Sequence, residues 1–354
     1  MKIALIHNQL SRSGGMESYL FALINGFAAA GDEVHVHTYE VDRDTARSLP
    51  CIVHRMRLGF LPRRFKKYAF LQRCNSRFDR TAYDLSLSLT RTACPDIAVI
   101  GGVHPSSVAL RGGNNVYRRF HDRLETAFER KMLVETPHVL AHSKAVAAEI
   151  KQHYTLDAGK IRVIYPPVDT KIFQPVSRQA LDAARSHYRL APGKMTFLFP
   201  SHDHRRKGLQ ELLAAFAGLD PSRYELLVAG EGLRNFSNLP AGVRYIGNVE
   251  HLAAVYGIVD YSILPSRYEP FGLVIIESLQ CGTPVLVTRG AGASELLTDE
   301  EGVILDDNRP ETIRQAILDL TARQVRPDFV QRHGLGIAEH IERIKALGAL
   351  RSTR

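Results

Sequence analysis

The 354-residue sequence is long for a single hydrophobic core and fits two domains of about 170 residues each. Its 45% hydrophobic and 23% charged residues indicate a soluble globular α/β protein, and no run approaches the roughly 20 apolar residues of a membrane span. The net charge of +9 is concentrated in residues 1–170, where 24 Lys and Arg stand against 16 Asp and Glu. Because zinc-finger, RRM and helix-turn-helix signals are absent, this basic half favours an anionic lipid or a phosphorylated glycan over nucleic acid.

The first predicted elements are a buried strand at residues 3–6, a Gly14-Gly15 loop and a helix at residues 17–30. Because the strand follows Met1 without a signal peptide, we expect a cytoplasmic protein. A glycine turn between strand and helix lets the backbone approach a phosphate, but the loop lacks G-x-G-x-x-G, so a dinucleotide fingerprint is not supported. Two glycines alone more often form only a turn.

A basic and aromatic segment, residues 55–73, lies between predicted strands at residues 52–54 and 85–89. It contains no acidic residue, and Pro62 predicts a loop followed by a short amphipathic helix from Arg63. Cations mixed with aromatic rings suit an anionic bilayer, so we predict that the segment docks on the cytoplasmic membrane face. The alternative is that the rings pack inward and the cations are only solvated. The candidate docking residues are Arg63, Arg64, Lys66 and Lys67.

His104 follows a predicted strand at residues 97–100 and so lies at the carboxyl edge of a sheet, where ligands bind. A lone histidine in this position is usually only a polar loop residue. Residues 114–135 form a predicted helix with one apolar face, whose arginines are expected to be partly solvated. Pro166 and Pro167 stiffen the chain, so we place a domain boundary near residue 170.

A second alternating α/β pattern follows this boundary. Arg206 and Lys207 stand between the first strand of this half and its helix, and Asn248 directly follows the third strand. Consecutive cations are commonly just surface residues, so these positions need further support. The strands are predicted at residues 196–200, 226–229, 243–246, 261–264 and 285–288.

A helix at residues 272–281 lies between the last two of these strands and completes a βαβ unit. Its amino end lies at the carboxyl edge of the sheet and points toward a ligand. The first N–H groups of a helix have no partner within it and carry the positive end of its dipole, so they suit a phosphate. Gly272 lets that phosphate come close. The N–H groups belong to Phe271, Gly272, Leu273 and Val274.

Two glutamates, Glu269 and Glu277, stand eight positions apart around this helix start. Glu277 lies roughly 7 to 8 Å deeper than Gly272, about the reach from a diphosphate to its ribose. A carboxylate there can accept both ribose hydroxyls, whereas Glu269 can meet a sugar beyond the phosphates. The alternative is a solvated stripe, but the apolar residues around Glu277 leave little room for one.

The pattern E-P-F-G-L-V-I-I-E, from Glu269 to Glu277, resembles the E-x7-E signature of retaining, nucleotide-sugar-dependent glycosyltransferases of the glycogen-synthase-like group, family 4. The resemblance implies the GT-B fold, with two Rossmann-like α/β domains facing each other across a cleft. It assigns residues 1–170 to the acceptor and residues 171–354 to the nucleotide sugar. The amphipathic residues 326–350 are expected to be helical and to cross back to the first domain.

The same resemblance implies roles for the remaining candidates. Gly14 and Gly15 would lie near the donor diphosphate, and His104 would contact the 6-hydroxyl of the sugar or help to organise the reaction. Arg206 and Lys207 would neutralise the diphosphate. The nucleotide base would lie by the loop that contains Asn248. The chain departs from the family's common G-R-L start before the basic pair and has Ser-His-Asp instead, as do bacterial lipopolysaccharide core glucosyltransferases.

The resemblance thus predicts a glycosyltransferase that moves a hexose, with retention, from a nucleotide-diphosphate sugar to a hydroxyl group of a cell-envelope glycan or glycolipid. Lipopolysaccharide core is one such acceptor, and a UDP-sugar is the expected donor. Because no Asp-x-Asp motif follows a strand, we expect neither a metal nor another cofactor. His104, Arg206, Lys207 and Glu269 are the candidate catalytic residues. Alternatives are a sugar-nucleotide epimerase of the same architecture and a non-catalytic basic module that binds glycan or lipid.

Overall fold

The structure, a computed structural model, describes residues 1–11, 14–109, 116–233 and 238–350. It divides into two compact units. Unit 1 consists of Met1–Pro167 and Leu335–Arg354, and unit 2 consists of Val168–Gly334.

Unit 1 is built on a parallel sheet, whose described strands have the order β5-β3-β1-β6-β7-β8-β9. Its central strands are short and buried on both faces, as expected for a parallel sheet covered by helices, although one of them alternates Leu with Ser. A small two-stranded sheet pairs β2 with β4. The strands are β1 (Lys2–Ile6), β2 (Gln9–Leu10), β3 (Glu33–Thr38), β4 (Glu40–Val41), β5 (Ile52–Arg55), β6 (Leu85–Ser88), β7 (Ile97–Ile100), β8 (His138–Ala141) and β9 (Ile161–Val163).

Unit 2 contains a second parallel sheet, with the described strand order β12-β11-β10-β13-β14-β15. Each strand predicted from the sequence of this half overlaps one of these strands. The strands are β10 (Met195–Ser201), β11 (Tyr224–Gly230), β12 (Val243–Gly247), β13 (Tyr261–Leu264), β14 (Val285–Thr288) and β15 (Gly302–Leu305).

Helices connect the strands of both units, together with short 3-10 helices at Arg80–Ala82, Ala158–Lys160 and Gly292–Leu296. The helices of unit 1 before the boundary are α1 (Gly15–Ala29), α2 (Arg43–Ser48), α3 (Arg63–Arg77), α4 (His104–Ala109), α5 (Val116–Glu135) and α6 (Lys144–His153). Those of unit 2 are α7 (Arg178–His187), α8 (Leu209–Phe216), α9 (Leu252–Tyr256), α10 (Leu273–Gln280), α11 (Pro310–Asp319) and α12 (Phe329–His333). The last helix, α13 (Ile337–Ala349), belongs to unit 1.

Helix α13 packs on α1 and completes the core of unit 1. Ile341 and Ile344 are buried in the same apolar cluster as Leu23 and Phe27. Gly26 makes this close packing possible, because a Cβ added there would lie 2.6 Å from a methyl carbon of Ile337.

The predicted helical tail at residues 326–350 is not one helix, which corrects the sequence analysis. It consists of α12 and α13, separated at Gly334, whose φ of 58° is a left-handed conformation that ends α12. The apolar periodicity continues through the break, so it did not reveal the turn. None of the described helices is long and apolar enough to span a bilayer.

Each sheet has one point at which the direction of strand progression reverses. In unit 2 this point lies between β10 and β13, and in unit 1 it lies between β1 and β6. In open parallel sheets the loops after two such strands diverge and leave a crevice, where ligands bind. The switch point of unit 2 is flanked by the two loops that carry Arg206, Lys207 and Glu269.

Candidate active site

Three charged side chains meet at the switch point of unit 2. Nη1 of Arg206 donates a hydrogen bond of 3.0 Å to Oε2 of Glu269, and Nζ of Lys207 lies 3.9 Å from the same oxygen. Arg206 also donates to the carbonyl oxygen of Tyr268 at 2.8 Å and, through Nε, to the carboxylate of Asp203 at 3.0 Å. The adjacent cations Arg206 and Lys207 thus form a cluster around Glu269, which is 63 residues from Arg206 in the sequence.

The two cations of this cluster differ in their environment. Burial lowers the pKa of Lys207, and Arg206 lowers it further, although Glu269 opposes both. Burial alone would also lower the pKa of Arg206, but Glu269 and Asp203 reverse this and hold the pKa above its ordinary value. Lys207 is therefore a partly desolvated charge that an approaching anion would stabilise.

Gly208 explains how the two loops come together. It has a φ of 85°, and a Cβ at this position would lie 2.1 Å from the carbonyl oxygen of Pro265. A backbone hydrogen bond also joins the two loops, because the N–H of Arg267 donates to the carbonyl oxygen of Arg206 at 3.2 Å. Only glycine permits this approach of one backbone to the other.

The loop that carries Glu269 is held from its other side by the segment after β14. The N–H of Glu269 donates to the carbonyl oxygen of Gly290, and the carbonyl oxygen of Glu269 accepts from Gly292, both at 2.8 Å. The carbonyl oxygen of Phe271 accepts from Ala293 at 2.8 Å. These backbone bonds fix the Glu269 carboxylate without using its side-chain oxygens, which stay available to Arg206 and to a ligand.

The amino end of α10 begins beside this cluster. Gly272 is the N-cap residue, with a left-handed φ of 95°, and it supplies no capping side chain. The N–H groups of Leu273 and Val274 are in the first turn and have no intrahelical acceptor. With the helix dipole behind them, they have the geometry that suits an anion, and the role in phosphate binding stays a prediction.

Glu277 lies one turn further along α10, and Tyr256 is its hydrogen-bond donor. The hydroxyl of Tyr256 lies 3.3 Å from Oε2 of Glu277 and 3.1 Å from the carbonyl oxygen of Val274. Burial raises the pKa of Glu277 to about 7, although the charge of Lys207 and the Tyr256 hydrogen bond both act to lower it. Tyr256 could not be recognised from the sequence, because a tyrosine on a five-residue helix carries no signal of its own.

Unit 1 places the Gly14-Gly15 loop at its own switch point, after β1. Gly14 is extended and caps α1, and a Cβ on it would lie 2.9 Å from a carboxylate oxygen of Glu17. That carboxylate is held by Nε2 of His7 at 3.1 Å and by Nε2 of Gln9 at 2.9 Å. Gly14 leads directly into the first turn of α1, where N–H groups without intrahelical acceptors are available.

His104 is the first residue of α4 and is buried directly after β7. Its backbone N–H donates to the carboxylate of Glu129 at 3.0 Å, and its Nε2 lies 3.0 Å from Oδ1 of Asp122. Neither acid was predicted from the sequence as a partner of His104. Asn248, in contrast, is exposed after β12 and is not part of the charged cluster around Glu269.

Within the basic segment, α3 begins at Arg63, as the sequence predicted, and Pro62 is its N-cap. The helix has 15 residues and continues to Arg77, so it is not the short helix that was expected. Lys67, however, donates to both carboxylate oxygens of the buried Glu125, at 2.6 and 2.8 Å. Arg63 remains exposed. This pairing argues against a membrane contact by Lys67, because leaving Glu125 would strand a buried carboxylate.

A cavity of about 630 Å³ in unit 2 lies at the opposite edge of the sheet from these loops. It is lined by Lys194, Asp260 and Pro284, which stand at the amino ends of their strands. Ligands of such sheets bind at the carboxyl ends, so the cavity is not the candidate site. No group of three or more His, Cys, Asp and Glu in the described residues is placed to hold a metal ion.

The two halves of the chain match two families of known proteins. Residues 182–332 match the family described as "Glycosyl transferases group 1". Residues 13–172 match the family described as "Glycosyltransferase Family 4".

Curated relatives extend over nearly the whole chain. A "Probable transglycosylase" of Burkholderia thailandensis is 30% identical over 331 residues, which cover 94% of this chain and 89% of that protein. A D-inositol 3-phosphate glycosyltransferase of Arthrobacter is 28% identical and covers 84% of this chain and 79% of its own length.

Solved structures share the fold at lower identity. WaaG, described as a glycosyltransferase involved in lipopolysaccharide biosynthesis, has a TM-score of 0.76 at 18% identity, with 98% of this chain and 95% of that chain covered. Anabaena HepE, in complex with UDP-glucose, has a TM-score of 0.74 at 18% identity, with 98% of both chains covered. Two Rossmann-like units with parallel sheets, and a relative that is 30% identical over 94% of the sequence, place this chain in the GT-B glycosyltransferases of family 4 and group 1.

Proposed function

We propose that the protein transfers a hexose from a nucleotide-diphosphate sugar, a UDP-sugar above all, to a hydroxyl group of a cell-envelope glycan or glycolipid. The observation that carries this proposal is the convergence of Arg206, Lys207 and the amino end of α10 at the switch point of unit 2. Glu277 lies one turn beyond that amino end. Groups that suit the phosphates are thus followed by a carboxylate that suits the ribose, and this order fits a nucleotide diphosphate.

The reaction needs a site that stabilises a leaving diphosphate. Negative charge develops on the diphosphate as the glycosidic bond breaks, and preorganised cations and N–H groups lower the barrier. Arg206, Lys207 and the first turn of α10 supply such groups, which supports transfer without a metal. Glu269 is held beside them and would contact the sugar. The resemblance to the family signature supports retention of configuration: the acceptor would attack on the face that the leaving group vacates, and the departing phosphate would take its proton.

Relatives support the chemical class of both substrates. HepE was solved with UDP-glucose, which supports a UDP-sugar donor, and WaaG is described as acting in lipopolysaccharide biosynthesis, which supports a cell-envelope acceptor. A D-inositol 3-phosphate glycosyltransferase extends the acceptor class to phosphorylated polyols. We assign the acceptor to unit 1, whose excess of Lys and Arg suits a phosphorylated glycan.

The first experiment measures nucleotide diphosphate release from UDP-glucose, UDP-galactose, UDP-N-acetylglucosamine, GDP-mannose and ADP-glucose. We expect slow hydrolysis of one donor, and faster release when an acceptor is added. An epimerase would instead give free nucleotide and an altered sugar with no response to acceptor. If calorimetry detects no binding of any nucleotide diphosphate, the protein is a non-catalytic module and the proposal is wrong.

Glu269→Gln separates the sugar contact from the phosphate contacts. We expect this variant to bind the accepted nucleotide sugar about tenfold more weakly, because one hydrogen bond to a charged group contributes about 1.5 kcal/mol. Binding of the bare nucleotide diphosphate should change much less. Calorimetry with both ligands checks this, and equal losses for the two would count against placing Glu269 at the sugar.

We also propose that unit 1 docks on the anionic face of the cytoplasmic membrane, where a lipid-borne acceptor lies. Around the start of α3, Phe60 is fully exposed, the side chain of Arg63 is 89% exposed, and Phe65 is 45% exposed. Tyr117 and Phe120, in the first turns of α5, are exposed as well. Exposed rings beside cations match a surface that enters the headgroup region.

Replacing Arg63, Arg64 and Lys66 together by Ser should reduce sedimentation with phosphatidylglycerol liposomes by at least about tenfold at low salt, at about 1 kcal/mol per cation. High salt should also reduce the sedimentation of the wild type with these liposomes. The matched control replaces the exposed Arg178, Arg185 and Arg189 of unit 2 by Ser, which changes the charge equally. If the wild type does not sediment, or both triple variants sediment equally, the docking proposal is wrong.

A further inference from the structure

His104 is held by two carboxylates from one helix. Glu129 accepts a hydrogen bond from its backbone N–H, and Asp122 lies 3.0 Å from Nε2 of its ring. The two acids are seven residues apart on α5, which is about two helical turns, so they lie on one side of the helix. The position of the backbone and the orientation of the imidazole are therefore fixed by the same element.

The part of α5 beneath His104 is itself anchored by buried charges. Arg91 donates to Glu125 at 2.6 Å and to Glu129 at 3.0 Å, and Lys67 donates to Glu125. Tyr154 adds a hydrogen bond of 2.8 Å to Glu129. Burial would raise the pKa of Glu125, but Lys67 and Arg91 outweigh it and the pKa is lowered. Two buried acids are thus matched by two cations, and α5 cannot shift without separating them.

Asp122 differs from these anchoring acids because it is more accessible. Its side chain is 23% exposed, whereas those of Glu125 and Glu129 are 2% exposed. Its distance from Nε2 of His104 is that of a hydrogen bond, and a carboxylate can only accept one when ionised. The proton therefore lies on Nε2 of the neutral imidazole. The other nitrogen, Nδ1, has no hydrogen-bond partner in the described residues and is an acceptor.

Several groups act on the ring in addition to Asp122. Burial lowers the pKa of His104 and the positive charge of Arg91 lowers it further, while Asp122, Glu125 and Glu129 raise it. The effects that lower the pKa prevail, so the ring is neutral at neutral pH. Which of its two nitrogens carries the proton then decides which one can accept a hydrogen bond. A change in tautomer would exchange an acceptor for a donor at Nδ1.

We propose that Asp122 is a positioning residue that holds the proton of His104 on Nε2, so that Nδ1 is an acceptor for a hydroxyl group of a sugar substrate. This inference rests on the proposed function for its sugar, but the tautomer is a property of the protein alone. It assigns a role to an acid outside the E-x7-E signature. His104 is the residue assigned to the sugar, and Asp122 acts only through His104.

The tautomer can be read directly by NMR of protein with 15N-labelled histidine, with the His104 signals identified by their absence in His104→Asn. We expect the Nε2–H tautomer in the wild type. In Asp122→Asn the side-chain amide can donate to Nε2, so we expect the Nδ1–H tautomer. Asp122→Glu should restore the wild-type spectrum. The matched control, Glu135→Gln, removes an exposed carboxylate from the same helix and should leave His104 unchanged.

The kinetic part of the test uses the donor found in the hydrolysis screen. Asp122→Asn should lower kcat about tenfold and leave the affinity for the bare nucleotide diphosphate unchanged, with recovery in Asp122→Glu. An Nδ1–H tautomer in the wild type, or an unchanged tautomer in Asp122→Asn, overturns the inference, and the first of these results needs no variant of Asp122. If the tautomers behave as expected but no nucleotide sugar binds, the proposed function fails and the role of Asp122 toward a sugar fails with it.

Discussion

Lys207→Ala is expected to lower turnover by about 100 to 1,000-fold, the loss found when one preorganised donor to a developing anion is removed. The structure explains why this lysine should matter more than a surface cation. Its ammonium is largely buried, its pKa is lowered by that burial, and Glu269 lies 3.9 Å away. The negative charge of a leaving diphosphate would stabilise this desolvated ammonium group. Arg206→Ala should have an effect of the same order, since both cations converge on one point.

Steady-state assays with saturating donor measure this loss. Arg205→Ala is the matched control, because it removes an adjacent but exposed cation and should keep turnover near that of the wild type. Lys207→Met preserves the buried stem and shows whether charge or packing is responsible. Thermal unfolding of each variant checks the fold. Turnover of Lys207→Ala and Arg206→Ala within a factor of three of wild type would reclassify both residues as structural.

The fold of unit 2 was predictable because its local signals agree with one another. The strands Tyr261–Leu264 and Val285–Thr288 have the predicted bounds, since short apolar runs between glycines and prolines are typical of buried parallel strands. Glycine also marks the helix starts, at Gly208 before α8 and Gly272 before α10. A parallel sheet then brings the strand ends together, so local motifs predict a shared site.

The charged network of unit 1 was not predictable in the same way. Glu125 and Glu129 lie on a helix rich in arginine, and their pattern resembles a solvated face. Their partners are distant in sequence: Lys67 is 58 residues from Glu125, and Arg91 is 38 residues from Glu129. Only the packing of α3 against α5 reveals that these charges are buried. For the same reason, the sequence predicted Lys67 as a membrane-docking residue, whereas its ammonium group contacts the buried Glu125.

Glu277→Ala should weaken nucleotide diphosphate binding by about 1.5 to 3 kcal/mol, which is roughly 10 to 150-fold. The reason is the loss of a charge-assisted contact with the ribose, at a carboxylate that accepts a hydrogen bond from the hydroxyl of Tyr256. Calorimetry with the bare diphosphate measures the loss. Glu300→Gln removes an exposed carboxylate of the same unit and should bind normally. Unchanged affinity in Glu277→Ala would contradict the ribose assignment.

Glu277→Gln should, in contrast, stabilise the ligand-free protein at alkaline pH. Burial raises the pKa of Glu277 from 4.5 to about 7, so between these values the folded protein holds a proton that the unfolded chain has lost. The stability that this proton contributes is complete below pH 4.5 and is lost as the pH rises through about 7. Glutamine does not titrate, so the free energy of unfolding of the variant should exceed that of the wild type increasingly up to about pH 8, by on the order of 1 to 3 kcal/mol. Denaturant unfolding from pH 5 to 8 measures the difference, and a difference that does not grow with pH would show that the carboxylate is solvated and free to ionise.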